Sequence, residues 1–165
     1  MIDLSRKILY VRIHPDVLSV RDVKSGRSVE EPPVIAIRGG LQVDGTNPEP
    51  LAVGRDALKF ADESRTNLVN PFAHPRTPLS DFTSAEYLLK GFIRKLRGHS
   101  FWVRAPIVVL HLIPNLQGDI TQIEIRALLE LGKGAGALRA YGWLGPDLTD
   151  EQLTTLKFPG TGKAF

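Results

Sequence analysis

The run "PIVVLHLIP", Pro106 to Pro114, constrains the fold more than any other stretch of the chain. Apolar residues broken only by His111, without polar alternation, describe a strand buried on both faces. Such a strand needs a packed layer on each side, as in an α/β sheet crossed by helices. The flanking sequence supplies those helices. Ala85, Leu88, Leu89, Phe92, Ile93 and Leu96 recur at offsets of three and four, which is one helical face, and Thr83 with Glu86 fits a capping box at its start. On the other side a helix over about 120–133 places Ile120, Ile123, Ala127, Leu128 and Leu131 together, and "ALRAYGW" follows as a last strand.

Upstream, residues 8–13 and 17–23 read as strands, with "VIAIR", Val34 to Arg38, as a third. The first connection is too short for a crossover, so this part is an antiparallel meander. "GGLQVDGTNPEP" reads as a loop and "LAVGRDALKFA" as a short strand running into a short helix. Pro71, Pro75 and Pro78 make residues 67–80 extended and irregular. A short helix near 150–157, capped by Thr149 with Gln152, closes the chain before a loose tail. The expected architecture is α/β: a three-stranded antiparallel meander extended by parallel strands with crossover helices. A small insertion occupies about 40–80, and a C-terminal helix and tail occupy 148–165. The 165 residues suit one domain over 1–165, with no internal repeat.

Composition narrows function mainly by exclusion. The chain has no cysteine, which removes disulfides, thiolate metal sites and cysteine nucleophiles. No apolar run reaches the ~20 residues of a membrane-spanning helix, and the start "MIDLSRKILYV" is too interrupted for a secretory signal, so the cytoplasm is the expected compartment. A net charge of +3 permits a phosphate-rich partner without demanding one.

Three segments together resemble the bacterial actin-like MreB family: "EEPPVIAI" (Glu30 to Ile37), "AVGRDALKF" (Ala52 to Phe60) and "TQIEIRALLELGKGAGA" (Thr121 to Ala137). "SDFTSAEYLLKGFIRKL" is similar to that family's first long helix. The likeness runs from about residue 8 to residue 143 and implies the N-terminal half of the family's fold, subdomains IA and IB, on a ribonuclease-H-like sheet. The family is about twice this length, because a second half closes over a nucleotide, and that half has no counterpart in this sequence. The family's first phosphate loop is a glycine-containing hairpin. Here Val11, Ile13 and His14 occupy its Asp, Gly and Thr positions. Ile13 adds bulk where glycine lets the backbone approach an anion, Pro15 removes a donor, and Val11 offers magnesium no oxygen. His14-Pro15-Asp16 therefore reads as a tight turn in place of a cradle.

The expectation that follows is a non-catalytic interaction or scaffold module of the cell-shape machinery, with no cofactor and no metal. It would bind a protein partner or itself. The alternatives are half of a split nucleotide-hydrolysing ATPase and a nucleic-acid-binding module. Glu124 falls where the family has a glutamate that positions attacking water, but Thr121-x-x-Glu124 is also a capping box. Metal-dependent nuclease chemistry lacks clustered acids, and His14, His74, His99 and His111 show no ligand spacing. The tail "PGTGKAF" lacks the spacing of a phosphate-binding loop.

The stretch "RKLRGHSFWVRAP" places Phe101, Trp102 and Val103 between Arg97 and Arg104. Apolar wedges beside cations suit a membrane surface, and the resemblance implies docking at the inner membrane through this loop. Folding of Phe101 and Trp102 back onto the core, or base stacking on Trp102, are the other readings. The segment Leu148 to Phe158, with Leu153, Leu156 and Phe158 as its apolar side, is expected to cover the face left by a missing nucleotide cleft.

Overall fold

The computed structural model describes residues 6–40, 45–102, 104–113 and 117–165. The doubly buried strand forms as its pattern demands. It is one of six in a mixed sheet that also contains β1 (Ile8–Ile13), β2 (Leu18–Asp22) and β3 (Ser28–Glu31). A second sheet of three strands holds β4 (Ile35–Arg38), β5 (Glu49–Val53) and β6 (Thr66–Val69), with a 3-10 helix over Gly54–Phe60 after β5. Then come α1 (Phe82–Arg97), β7 (Ile107–Leu112), α2 (Gln122–Gly134), β8 (Arg139–Leu144), α3 (Asp150–Thr155) and β9 (Lys163–Ala164).

The large sheet runs β3-β2-β1-β7-β8-β9. β1 pairs antiparallel with β2 and parallel with β7, and β7 pairs parallel with β8. α1 and α2 pack on one face, over Leu9, Val11, Ile13, Val108, Leu110 and Leu112. Every residue of β7 is buried. At about 1.5–3 kcal/mol per fully buried aliphatic side chain, this strand anchors both layers.

Three elements differ from expectation. The third strand of the meander is Ser28–Glu31, while Ile35–Arg38 turns away to become the centre of the small sheet. β3 is short and half exposed, with charged Glu30 and Glu31, so it carries no apolar signal. The cap of α1 is Asp81, whose carboxylate accepts the Ser84 N–H and hydroxyl, and not Thr83. α1 ends at Gly98, whose φ of +54° is in the region glycine adopts most easily. The tail is also ordered: β9 pairs with β8, and Phe165 exchanges both backbone hydrogen bonds with Gly142 while its ring lies where a Gly142 side chain would be.

The small sheet is tied to the large one through Lys95. Its ammonium reaches Glu31 at 2.8 Å, the Val53 carbonyl at 3.0 Å and Asp56 at 3.0 Å. Glu31 also accepts the Arg55 N–H at 2.9 Å. Burial pushes the Glu31 carboxyl up, but Lys95 and the Arg55 N–H outweigh it and hold the group below its ordinary range.

The second face of the large sheet carries Ile8, Tyr10, Ile107, Val109 and Trp143. Residues 145–158 run across it as a strap, with Leu148 and Leu153 buried and Leu156 and Phe158 packed at the margin. This segment covers the back of the sheet, not the crevice at the strand ends where a nucleotide cleft was expected.

Candidate functional site

In an open sheet with parallel strands, ligands collect beyond the strands' carboxyl ends, where loops diverge. Here that place lies beyond β1 and β7. A cavity of about 370 Å³ opens there, walled by Ile13, Pro15, Phe72, Pro75, Pro78 and Leu112, with His74 and Gln117 as its polar members.

The β1–β2 turn forms one wall, and its backbone donors are already engaged. The His14 N–H donates to the Val17 carbonyl, the Val17 N–H returns to His14, and the Asp16 N–H donates to His14 Nδ1. Pro15 has no N–H, and its carbonyl accepts a 2.7 Å bond from the Asn70 side chain. Val11 and Ile13 point into the core under α1 and α2, at 0% and 2% exposure. The turn thus presents no set of converging donors to an anion, and Val11 presents no oxygen to a cation. His14 Nδ1 lies 3.7 Å from the Asp16 carboxylate, but it accepts the Asp16 N–H at 3.1 Å and so serves the turn.

Glu124 sits at the start of α2. Its carboxylate accepts the Thr121 N–H at 2.8 Å and the Thr121 hydroxyl at 2.9 Å, while the Glu124 N–H donates back to Thr121. Burial raises its pKa, yet the bonds from Thr121 and from Thr77 prevail and lower it. The carboxylate is engaged in a reciprocal cap. Its neighbour Ile123, expected on the buried side, is 81% exposed. Among the described residues no group of three His, Asp or Glu side chains could hold a metal ion.

At the opposite end of the sheet the aromatic pair divides. Phe101 is 87% exposed, whereas Trp102 packs against the core with the Lys7 ammonium 5.4 Å from its ring centre. Trp102 is half-buried, while Phe101 stands clear of the core. Arg97 and Arg104 are exposed beside it, and Val103 lies outside the described residues. Trp102 also lines a cavity of about 340 Å³ with Arg94, Arg97 and Arg104.

Of the four histidines, only His111 is deeply buried, and its setting was not foreseen. Tyr10 hydroxyl meets His111 Nδ1 at 2.5 Å, His111 Nε2 meets the Gly145 carbonyl at 2.9 Å, and the Leu148 N–H donates to Tyr10. This pattern fits a neutral imidazole donating from Nε2 to Gly145 and accepting from Tyr10. Burial lowers the His111 pKa against the smaller opposing pull of the Gly145 carbonyl and Asp147. The available signal was a histidine in register between Arg12 and Trp143 within an otherwise apolar strand. Lys163 of the tail sequence lies in β9.

Comparison with known proteins agrees with this architecture. The chain is 30% identical over 116 residues to the cell shape-determining protein MreB of Escherichia coli (strain K12), covering 70% of this chain and 32% of that protein. It is 30% identical over 118 residues to the MreB of Haemophilus influenzae, covering 72% and 32%. It therefore spans about a third of the length of the curated relatives it matches. Among solved structures, MreB5 of Spiroplasma citri bound to AMPPNP superposes with a TM-score of 0.58 at 17% identity, over 82% of this chain and 38% of that one. A non-polymerising MamK mutant bound to AMPPNP gives 0.61 at 14% identity, over 84% and 40%. A scan against protein-family models finds no match. The sequence resembles MreB, and the fold is part of the actin-like fold.

Proposed function

We propose that this chain is a non-catalytic, actin-like interaction module of the bacterial cell-shape machinery, working in the cytoplasm through contacts with a protein partner or with copies of itself. The observation that carries the reading is the β1–β2 turn. Its donors bond within the turn, Pro15 has none, and Val11 and Ile13 face the core. A triphosphate needs converging N–H groups and a cation held by oxygens, and these residues offer neither. Phe101 supplies a peripheral contact: a single exposed ring between Arg97 and Arg104 suits the headgroup region of an anionic membrane.

The test is calorimetric titration with magnesium and AMPPNP, the nucleotide bound to MreB5 of Spiroplasma citri. The expected result is no saturable heat and no rise in melting temperature, with concentration-dependent mass in sedimentation velocity. Saturable binding, or ordered nucleotide against Ile13 and His14, would overturn the reading. Co-sedimentation with anionic vesicles tests the membrane contact. Binding unchanged by Phe101→Ala would remove it.

A further inference from the structure

The cavity at the amino ends of the parallel strands is unlike the crevice at their carboxyl ends. Its wall contains Lys90, Arg94, Arg97 and Arg104 together with Trp102 and the Ala135–Gly136 turn after α2, and among the described residues no acidic side chain lines it. We infer that this cavity is a binding site for a phosphate-bearing anion, gripped by Arg94 and Arg97 beside the Trp102 ring, with Arg104 adding positive charge to the wall.

Arg94 and Arg97 stand three residues apart at the end of α1, so they share a face and can act together. Cations at a helix carboxyl end are favoured by its dipole, which accounts for their presence in that turn. It does not account for the convergence, because Arg104 comes from a different segment and faces the same space. Lys95 shows what a structural cation in that turn looks like, since it is saturated by Glu31, Val53 and Asp56. Arg94 and Arg97 have no carboxylate partner among the described residues, while Lys90 at the cavity's edge is held by Glu86.

The surroundings strengthen the field. Arg6 and Arg27 lie at this end, bonded to the Ala105 carbonyl and the Ser100 hydroxyl. Asp22 is buried and bonded to Lys7 and Ser25. Cationic side chains thus gather at this end of the sheet. Guanidinium forks match the oxygens of phosphate, and several converging on one anion give charge-assisted bonds stronger than neutral ones. The indole wall would meet the organic part of a phosphate ester, adding apolar contact to the ionic grip. The anion can be a soluble phosphate ester or a lipid headgroup. The site requires neither a membrane nor loss of nucleotide binding.

The chain has two tryptophans, and Trp143 is fully buried under the strap, so an exposed-side fluorescence change reports Trp102. The full chain is titrated with inorganic phosphate and with pyrophosphate, against sodium chloride at equal ionic strength. A saturable change, absent from the chloride control, is expected. In Arg94→Gln with Arg97→Gln the affinity should fall by about tenfold or more, with an unchanged melting temperature. Phosphorus NMR line broadening of the same anions gives a second reading, and Arg97→Ala alone serves if the double variant folds poorly. Anionic vesicles that compete with soluble phosphate identify a lipid headgroup as the source, and vesicles without effect identify a soluble ester. No saturation, or equal affinity in the arginine variants, overturns the site.

Discussion

The two faces of the six-stranded sheet are covered by different means. One lies beneath α1 and α2, a sixteen-residue and a thirteen-residue helix, through side chains that are almost all apolar. The other lies beneath a strap whose only regular element is the six-residue α3. A helix so short has little stability of its own and depends on what it packs against. The strap has Leu148 and Leu153 for burial, and polar ties besides: Trp143 Nε1–H to the Pro146 carbonyl at 2.7 Å, Arg12 to Asp147 at 3.0 Å and Arg21 to Asp150 at 2.6 Å. The helical face is a core in the ordinary sense. The strap face is a docked segment, apolar at its centre and polar along one border.

Substitutions on the two faces should therefore differ in kind. Phe92 is fully buried on α1, and Phe92→Ala is expected to cost about 3–5 kcal/mol, read as a global loss of stability in denaturant. Leu153 is equally buried, and Leu153→Ala falls in the range of about 2–5 kcal/mol. Its strap can open alone, so the effect should appear first as fast hydrogen exchange over 149–156 and red-shifted Trp143 emission. Equal exchange acceleration in α1 and in the strap after Leu153→Ala would mean that the two faces unfold as one unit.

The next effect lies on the polar border. Tyr10→Phe leaves His111 Nδ1 and the Leu148 N–H without their bonds, at a cost of about 1–3 kcal/mol. The same cluster makes the strap face sensitive to acid. Tyr10 faces His111 from β1, Asp147 lies 3.7 Å away on the strap, and Arg12 stands beside both. His111 has a folded pKa below its ordinary value near 6.5. As pH falls below about 6.5 the unfolded chain takes up a proton that the folded chain refuses, so stability declines until the folded pKa is passed. Thermal melts from pH 7.5 downward should show that decline, and His111→Gln should remove most of it. Asp22, Glu31 and Asp150 have lowered pKa values and add their own loss at still lower pH.

This contrast also separates what the sequence could disclose from what it could not. β7, α1 and α2 were legible because their apolar residues repeat with the period of the element and face a deep core. β3 and β6 were not, since both are four residues long with half their side chains in water. Their strand character comes from pairing with β2 and β4, a tertiary fact. The strap's apolar residues were recognised, but not the surface they meet, because Tyr10, Val109 and Trp143 converge only when the sheet forms. At the candidate sites, the turn at His14-Pro15-Asp16 could be read because proline and glycine chemistry is local. The parting of Phe101 and Trp102 could not, since adjacent residues have equal claims on the core until packing admits one.

The smallest test compares two helix caps. Asp81 caps α1 by accepting the Ser84 N–H at 3.0 Å, and Thr149 caps α3 by accepting the Gln152 N–H at 3.2 Å. Either change to alanine should cost about 1 kcal/mol in local terms. α1 is embedded in the main core, so Asp81→Ala should lower global stability by that amount, while Thr83→Ala should not. α3 depends on its cap and on Leu153, so Thr149→Ala should loosen the strap and leave the denaturant midpoint almost unmoved. Hydrogen exchange resolved by segment distinguishes these outcomes. A global loss from Thr149→Ala equal to that from Asp81→Ala would show that the strap is not a docked segment but an integral part of the cooperative core.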